Sequence, residues 1–396
     1  IFFVSDRSGW WNIYQQDNDG SKALAEAALE FGQPLWMLGY KTYALLSDDR
    51  IVAFYKDQGL PGLALIDLRT GSMQSVELPY NYITPAIAVG ADQRIWFLAG
   101  SPFEFPGLSC LHLESNLIQR VSEVRVYDIE RDLISIPEQI VFDSPNGGKC
   151  YAYYYPATHP QYDGCEGERP PLIVMGHGGP TAGARPYLNL EIQYWTSRGF
   201  SVVDVDYSGS TGYGRAYRER LRGQWGIADV QDCVQAARFL SESELVDPDR
   251  LLITGGSAGG YIVLCALTGY DVFSAGASYY GVADIVQLAR TTHKFESMYD
   301  TSLIGPYPEY AEVYHQRSPI HHAEKLQCPV ILFQGMADEV VPPAQAEVFV
   351  EALKKNGIAY RYITFEGEGH GFRQSENIQA ALETELSFYR EVLKIT

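Results

Sequence analysis

The sequence predicts an α/β protein: a doubly wound sheet preceded by part of an all-β propeller. Two observations carry this. From about residue 171 onward, short apolar strand-like runs alternate with helical patterns, as in a parallel sheet covered by helices on both faces. Before residue 130 that alternation is missing. There, β-branched and aromatic runs follow one another through Gly- and Asp-containing turns. The expected domains are therefore 1–130 and 131–396.

The first domain contains three related stretches, IFFVSDRSGWWNIYQQDNDG, IVAFYKDQGLPGLALIDLRTG and IWFLAGSPFEFPGLSCLHLESN. Their second strands align as NIYQQDNDG (12–20), LALIDLRTG (63–71) and LSCLHLESN (108–116), spaced by 45 to 51 residues. Periods of about 40–50 residues with four strands per unit mark propeller blades. A β-sandwich with look-alike hairpins is the alternative. About three blades are expected, against about four to eight in a closed propeller. ALAEAALE (23–30) is too short, and too closely flanked by strands, to read as a helix. The chain opens at Ile1 on a strand pattern, without the basic, apolar and cleavage regions of a signal peptide. The expectation is a chain cut inside a longer protein.

From residue 124 the chain reads as a linker followed by a hairpin whose turn, SPNGGK, carries Pro, Asn and two Gly. Beyond it, strands are expected at 171–177, 200–207, 250–256, 275–281, 329–335 and 360–367. Helices are expected at 227–242, 258–268, 343–356 and 374–394. The last two are amphipathic at helical spacing.

Composition excludes several classes of function. The chain has 396 residues, enough for two cores, with 46% hydrophobic and 20% charged residues, the balance of a globular protein. A net charge of −19 argues against nucleic acid and against anionic membranes as partners. No apolar run approaches the roughly 18 residues of a membrane span. The six Cys are scattered without a C-x-x-C pair or zinc spacing. Reduced thiols in the cytoplasm are expected, with no metal and no cofactor, while homo-oligomerisation stays open.

The stretch 251–267 organises the second domain. An apolar run (LLIT) leads into Gly255-Gly256-Ser257-Ala258-Gly259 and then into an apolar run of helical length. This is the strand, sharp turn and helix of a G-x-S-x-G nucleophile elbow, which holds a serine Oγ beside a helix N-terminus. Such a serine needs a base, itself oriented by an acid. In α/β-hydrolases the chain order is Ser, then Asp or Glu, then His. Asp338 lies just past the strand 329–335 in GMADEVVPP, with Glu339 as competitor. The shorter side chain, nearer the strand end, is preferred. Asp338 also comes too early to cap the helix that Pro342 and Pro343 begin. His370, in GEGHGF, follows the strand 360–367. Of the eight His, His112, His159, His293, His315, His321 and His322 lie upstream of Asp338, and His177 precedes the serine too. Only His370 fits the order. The oxyanion would be met by the N–H of Ala258 and by one from the HGGP loop, with Gly179 favoured and Gly178 the alternative.

Together these residues resemble the prolyl oligopeptidase family of serine peptidases, in the branch of acylaminoacyl peptidases and bacterial dipeptidyl or aminopeptidases. The resemblance rests on HGGPT (177–181), YSGSTGYGR (207–215), GGSAGGY (255–261), ADEVVPP (337–343) and GEGHGF (367–372), in family order. It implies an α/β-hydrolase domain paired with a propeller that filters substrates by size. It also implies Ser257 as nucleophile, Asp338 as acid, His370 as base and the HGGP backbone in the oxyanion hole. Some branches use a tyrosine hydroxyl there, but this chain has His177. Two departures stand out. Asp206 and Ser208 occupy positions where the family usually has Asn and Arg, and the family usually has a complete propeller.

By position, Tyr261, Val340 and Val341, and more weakly Val282, would line an apolar pocket for the residue before the scissile bond. The expected function is a serine peptidase acting on short peptides through an acyl-enzyme, as an aminopeptidase, dipeptidyl or acylaminoacyl exopeptidase. The alternatives are a carboxylesterase on the same triad, or a folded but poorly active binding fragment.

Overall fold

The computed structural model describes every residue except 123–128, 163, 166, 293, 295 and 396. The expected linker in part, and His293, lie outside the described residues. The chain divides into two compact units: Ile1–Ile136 with Arg185–Gln193 and Ser210–Glu219, and Pro137–Ala184 with Tyr194–Gly209 and Arg220–Thr396.

The first unit is a partial propeller of three antiparallel sheets. One sheet joins β1 (Phe2–Ser5), β2 (Asn12–Asp17) and β3 (Gly20–Ala23). The second joins β4 (Tyr43–Ser47), β5 (Arg50–Asp57), β6 (Leu60–Asp67) and β7 (Met73–Val76). The third joins β8 (Tyr82–Val89), β9 (Ile95–Ser101), β10 (Glu104–His112) and β11 (Leu117–Arg120). The three segments aligned in the sequence fall on β2, β6 and β10, the next-to-last strand of each sheet. Residues 24–30 form no helix.

The stacking of the sheets follows from strand periodicity. In β5, Ile51 and Ala53 pack with Ile13 and Phe31, whereas Val52 and Phe54 pack with Ile83, Ile95 and Phe97. The middle sheet is thus apolar on both faces. The segment Ser210–Glu219, which carries α2 (Arg215–Arg218), belongs to this unit. Its Arg218 pairs with Asp6 at 2.9 Å and with the buried Glu30 at 3.4 Å.

The second unit is built on one eight-stranded mixed sheet, order β12-β13-β15-β14-β16-β17-β18-β19. The strands are β12 (Glu138–Asp143), β13 (Lys149–Tyr155), β14 (Leu172–Gly176), β15 (Ser201–Asp206), β16 (Leu251–Gly256), β17 (Ala275–Tyr279), β18 (Val330–Gly335) and β19 (Tyr360–Phe365). From β15 to β19 all neighbours are parallel. The SPNGGK hairpin, β12-β13, extends the sheet by antiparallel pairing of β13 with β15.

The helices are α1 (Leu190–Thr196), α3 (Ala228–Glu242), α4 (Ala258–Gly269), α5 (Ile285–Thr291), α6 (Tyr299–Leu303), α7 (Ala311–Gln316), α8 (Ala344–Asn356) and α9 (Ser375–Leu393). The short helices α5–α7 fill a stretch where the sequence suggested neither strand nor helix. The central strands are buried on both faces, as the successive Leu172, Ile173 and Val174 and the pair Leu252 and Ile253 show; Leu172, Val174, Ile253 and Leu332 belong to one cluster that also takes in α3, α4 and α8. Among the described residues no helix is long and apolar enough to cross a membrane, and no disulfide joins the cysteines.

Candidate active site

The candidate site collects at the carboxyl ends of β14, β16, β17, β18 and β19, all within the second unit. Parallel strands bring their C-terminal loops to one edge, which is where such sheets place their chemistry.

Ser257 immediately follows β16 and forms the N-cap of α4, with φ 58° and ψ −119°. A non-glycine residue rarely adopts this conformation, which carries strain of order 1–3 kcal/mol. Two backbone bonds hold the turn: Ser257 N–H donates to Tyr279 O at 2.9 Å, and Tyr261 N–H donates to Ser257 O at 3.0 Å. The flanking glycines are required by close approach. A Cβ on Gly259 would lie 2.0 Å from Gly176 O, and one on Gly255 would lie 2.6 Å from Gly259 C. α4 therefore presses directly against β14 and β16. Its N-terminus, with the Ala258 N–H, starts at Ser257.

Asp338 lies in the loop after β18, and its carboxylate is wholly buried. One oxygen accepts the N–H groups of Val340 and Val341, each at 2.9 Å. The other accepts from His370 Nδ1 at 2.8 Å. The loop bonds aim the second oxygen at the imidazole. Glu339, the competing carboxylate, is exposed. His370 follows β19 and is half-buried, and its ring packs against Tyr280 with centroids 4.8 Å apart.

The HGGP loop runs beside Ser257. A Cβ on Gly178 would meet Gly256 O at 3.1 Å and Ser257 Cβ at 3.6 Å. Gly179 follows with φ +67°. The loop is held from below, where Tyr207 stacks on His177 at 4.1 Å and its hydroxyl donates to His177 O at 2.8 Å. Burial pushes the Tyr207 phenol far above its ordinary range, so it stays a neutral donor. At the two departures from the family pattern, Asp206 accepts the Ala184 N–H and Ser208 N–H donates to the buried Asp232, both at 2.7 Å.

Tyr261, Val341 and Val282 belong to one apolar cluster with Ala258, Leu221 and Trp225, and Val340 packs on it half-buried. Tyr261 is fully buried. Its ring packs on Trp225 at 4.6 Å and its hydroxyl donates to Arg317 O at 3.0 Å. The Arg317 guanidinium in turn donates to Gly223 O and Trp225 O. Among the described residues, no group of three or more His, Cys, Asp or Glu side chains is arranged to hold a metal ion.

Two residues at this edge went unmarked in the sequence. Tyr280, at φ 39°, donates its N–H to Phe333 O at 2.7 Å and packs its ring against His370, tilted by 60°. Glu368, two residues before His370, is buried and accepts three N–H bonds. The signal for the first was an aromatic residue just past a strand end. For the second it was a carboxylate inside a glycine-rich turn, a poor place to bury charge unless it is paired.

A sequence profile of the prolyl oligopeptidase family matches residues 186–396. The chain superposes over its whole length on a solved structure of a Mycobacterium tuberculosis puromycin-hydrolyzing peptidase, with a TM-score of 0.94 and 42% identity, covering 60% of that chain. It is 31% identical over 212 residues to an acylamino-acid-releasing enzyme of Arabidopsis thaliana, covering 52% of this chain and 28% of the plant enzyme. It is 30% identical over 213 residues to dipeptidyl peptidase family member 6 of Caenorhabditis elegans, covering 52% of this chain and 29% of the other. The chain thus spans about three tenths of the length of these curated relatives.

Proposed function

The chain belongs to the prolyl oligopeptidase family, and from that premise we propose that it is a serine peptidase cleaving short peptides or aminoacyl amides through an acyl-enzyme. Ser257 is the nucleophile, His370 the base and Asp338 the acid. His370 Nε2 takes the Oγ proton as Oγ attacks the scissile carbonyl. Asp338 holds Nδ1–H and stabilises the imidazolium that forms. The Ala258 N–H and one from the HGGP loop, Gly179 in this reading, meet the oxyanion. Collapse of the tetrahedral adduct passes the proton from Nε2 to the leaving amine, and water then repeats the sequence on the acyl-enzyme.

The observation that carries this reading is the 2.8 Å bond from His370 Nδ1 to a fully buried Asp338 carboxylate, at the same sheet edge as a serine in a strained elbow. The peptide preference draws support from the partial propeller and from the relatives: an acylamino-acid-releasing enzyme, a dipeptidyl peptidase family member and a puromycin-hydrolyzing peptidase. Val340, half-buried at the edge of the cluster that holds the buried Tyr261 and Val341, supports an apolar residue before the cleaved bond. The same relatives support exopeptidase action on short peptides.

Fluorophosphonate labelling of the wild type and of Ser257→Ala tests the assignment. Labelling of the wild type alone is expected. A wild-type protein that stays unlabelled, or an alanine variant that still labels, overturns it. Parallel turnover of aminoacyl-arylamides and short-chain aryl esters separates a peptidase from a carboxylesterase.

A further inference from the structure

The catalytic histidine of the proposed triad sits on a loop whose geometry is set by a carboxylate that touches neither His370 nor Asp338. Glu368 is 2% exposed. Its Oε2 accepts the Arg373 N–H at 2.9 Å, and its Oε1 accepts the Gln374 N–H at 2.9 Å and Asn377 Nδ2 at 2.8 Å. These are groups at the entrance to α9, whose N-cap is Gln374. The Glu368 side chain therefore bridges positions 368 and 373–374 and closes the chain between them into a ring. His370 lies inside that ring.

The same residue reaches the acid loop through its backbone. Glu368 O accepts the Ala337 N–H at 2.9 Å, and Ala337 immediately precedes Asp338. Packing secures the far side of the ring: Phe372 lies against Phe365 at 4.9 Å and Tyr280 at 5.5 Å. Between these anchors His370 itself meets Asp338 and the Tyr280 ring, while Gly371, at φ +89°, holds a left-handed conformation that glycine adopts without strain. The Asn377 side-chain N–H first, then the Gln374 and Arg373 backbone N–H groups, hold the Glu368 carboxyl below its ordinary range. The ring therefore stays closed by a charged acceptor at neutral pH.

The geometry points to Glu368 as a positioning residue of the catalytic centre: it fixes where His370 stands relative to Asp338 and Ser257, and so sets the rate of the chemical step. This rests on His370 being the base. If Glu368 were only a cap for α9, its loss would lower stability and leave turnover intact. If it positions the base, a small displacement of the imidazole lowers kcat, because misplacement by about 1 Å can slow an enzyme about 100-fold.

The test uses Glu368→Ala, Glu368→Gln and His370→Ala in the full chain, with three readouts. These are kcat and KM on an aminoacyl-arylamide, the fluorophosphonate labelling rate, and the low-field proton resonance of the His370 Nδ1–H bond to Asp338. For Glu368→Ala, kcat and labelling are expected to fall about 10- to 100-fold, with KM within about twofold and the low-field resonance lost or displaced. Glu368→Gln keeps Oε1 as acceptor for Gln374 and Asn377 but sets an amide against the Arg373 N–H. It is expected to fall between alanine and wild type, and it carries the test should the alanine variant fail to fold. Folded Glu368 variants with wild-type kcat and an unmoved resonance overturn the proposal, provided His370→Ala is inactive. A His370→Ala protein that still turns over and labels as wild type overturns the underlying triad.

Discussion

Gly259→Ala is the sharpest available test of the elbow, because it adds one methyl group and removes no functional atom. The added Cβ would sit 2.0 Å from Gly176 O, whereas ordinary contacts lie at 3.4–4 Å. The clash is backbone against backbone, so no side chain can rotate away. α4 must move off β14 by on the order of 1 Å, roughly the scale at which overpacking costs about 1–3 kcal/mol. For a unit of this size that corresponds to a fall of about 2–10 °C in its thermal transition. The consequence for chemistry should be larger. Ser257 is the N-cap residue of the displaced helix, so Oγ and the Ala258 N–H shift together relative to His370. A shift of this size predicts a loss of about 100-fold in kcat. The assay pairs differential scanning calorimetry with the rate of fluorophosphonate labelling. A Gly259→Ala protein that melts and labels as wild type would falsify the claim that close packing of α4 on β14 positions the nucleophile.

Two other outcomes are expected. Asp338→Asn keeps an acceptor for the Val340 and Val341 N–H groups but turns an amide toward His370 Nδ1. Stability should be nearly retained while kcat falls by about 10³–10⁴, as measured by arylamide turnover; a loss under tenfold would remove Asp338 from the triad. Asp229, fully buried in the first turn of α3, has its carboxyl pushed up to about 7 by burial, against the lowering effect of nearby backbone N–H groups. With the folded value above the unfolded one, the folded state binds the extra proton, so this group lowers stability as pH rises from about 4 to about 7. Asp229→Asn should therefore raise the unfolding free energy from urea titration at pH 8 relative to wild type, by up to a few kcal/mol, and much less at pH 4. An equal change at both pH values would refute the assignment.

The sequence carried much of the second unit because its determinants are local. Continuous apolar runs became β14, β16 and β18, and the order Ser257, Asp338, His370 followed from which loops close a parallel sheet. The aligned repeats of the first unit fell on matching strands because blade periodicity is written in turn spacing. Other features were not legible. The stretch between β17 and β18 holds the short helices α5–α7, set by tertiary burial of Ile285, Leu303 and Tyr314 rather than by any long amphipathic period. The hairpin turn was visible, but not that β13 would pair with β15 and extend the sheet, since strand partners are chosen by non-local contacts.

What the sequence by itself determined was the chemistry on offer: a serine between glycines after a strand, an aspartate and a histidine in turns after later strands, and a glycine-rich loop after an earlier one. Residue type and order settle these, because each depends on backbone freedom or functional groups within a few positions. What only the tertiary structure decided was distance and direction. The 2.8 Å bond between Asp338 and His370 spans 32 positions of sequence, the Tyr280 ring reaches His370 from another strand end, and Glu368 ties the His370 loop to both the Asp338 loop and α9. Such contacts arise from how strands line up in the sheet, and no local pattern encodes that register.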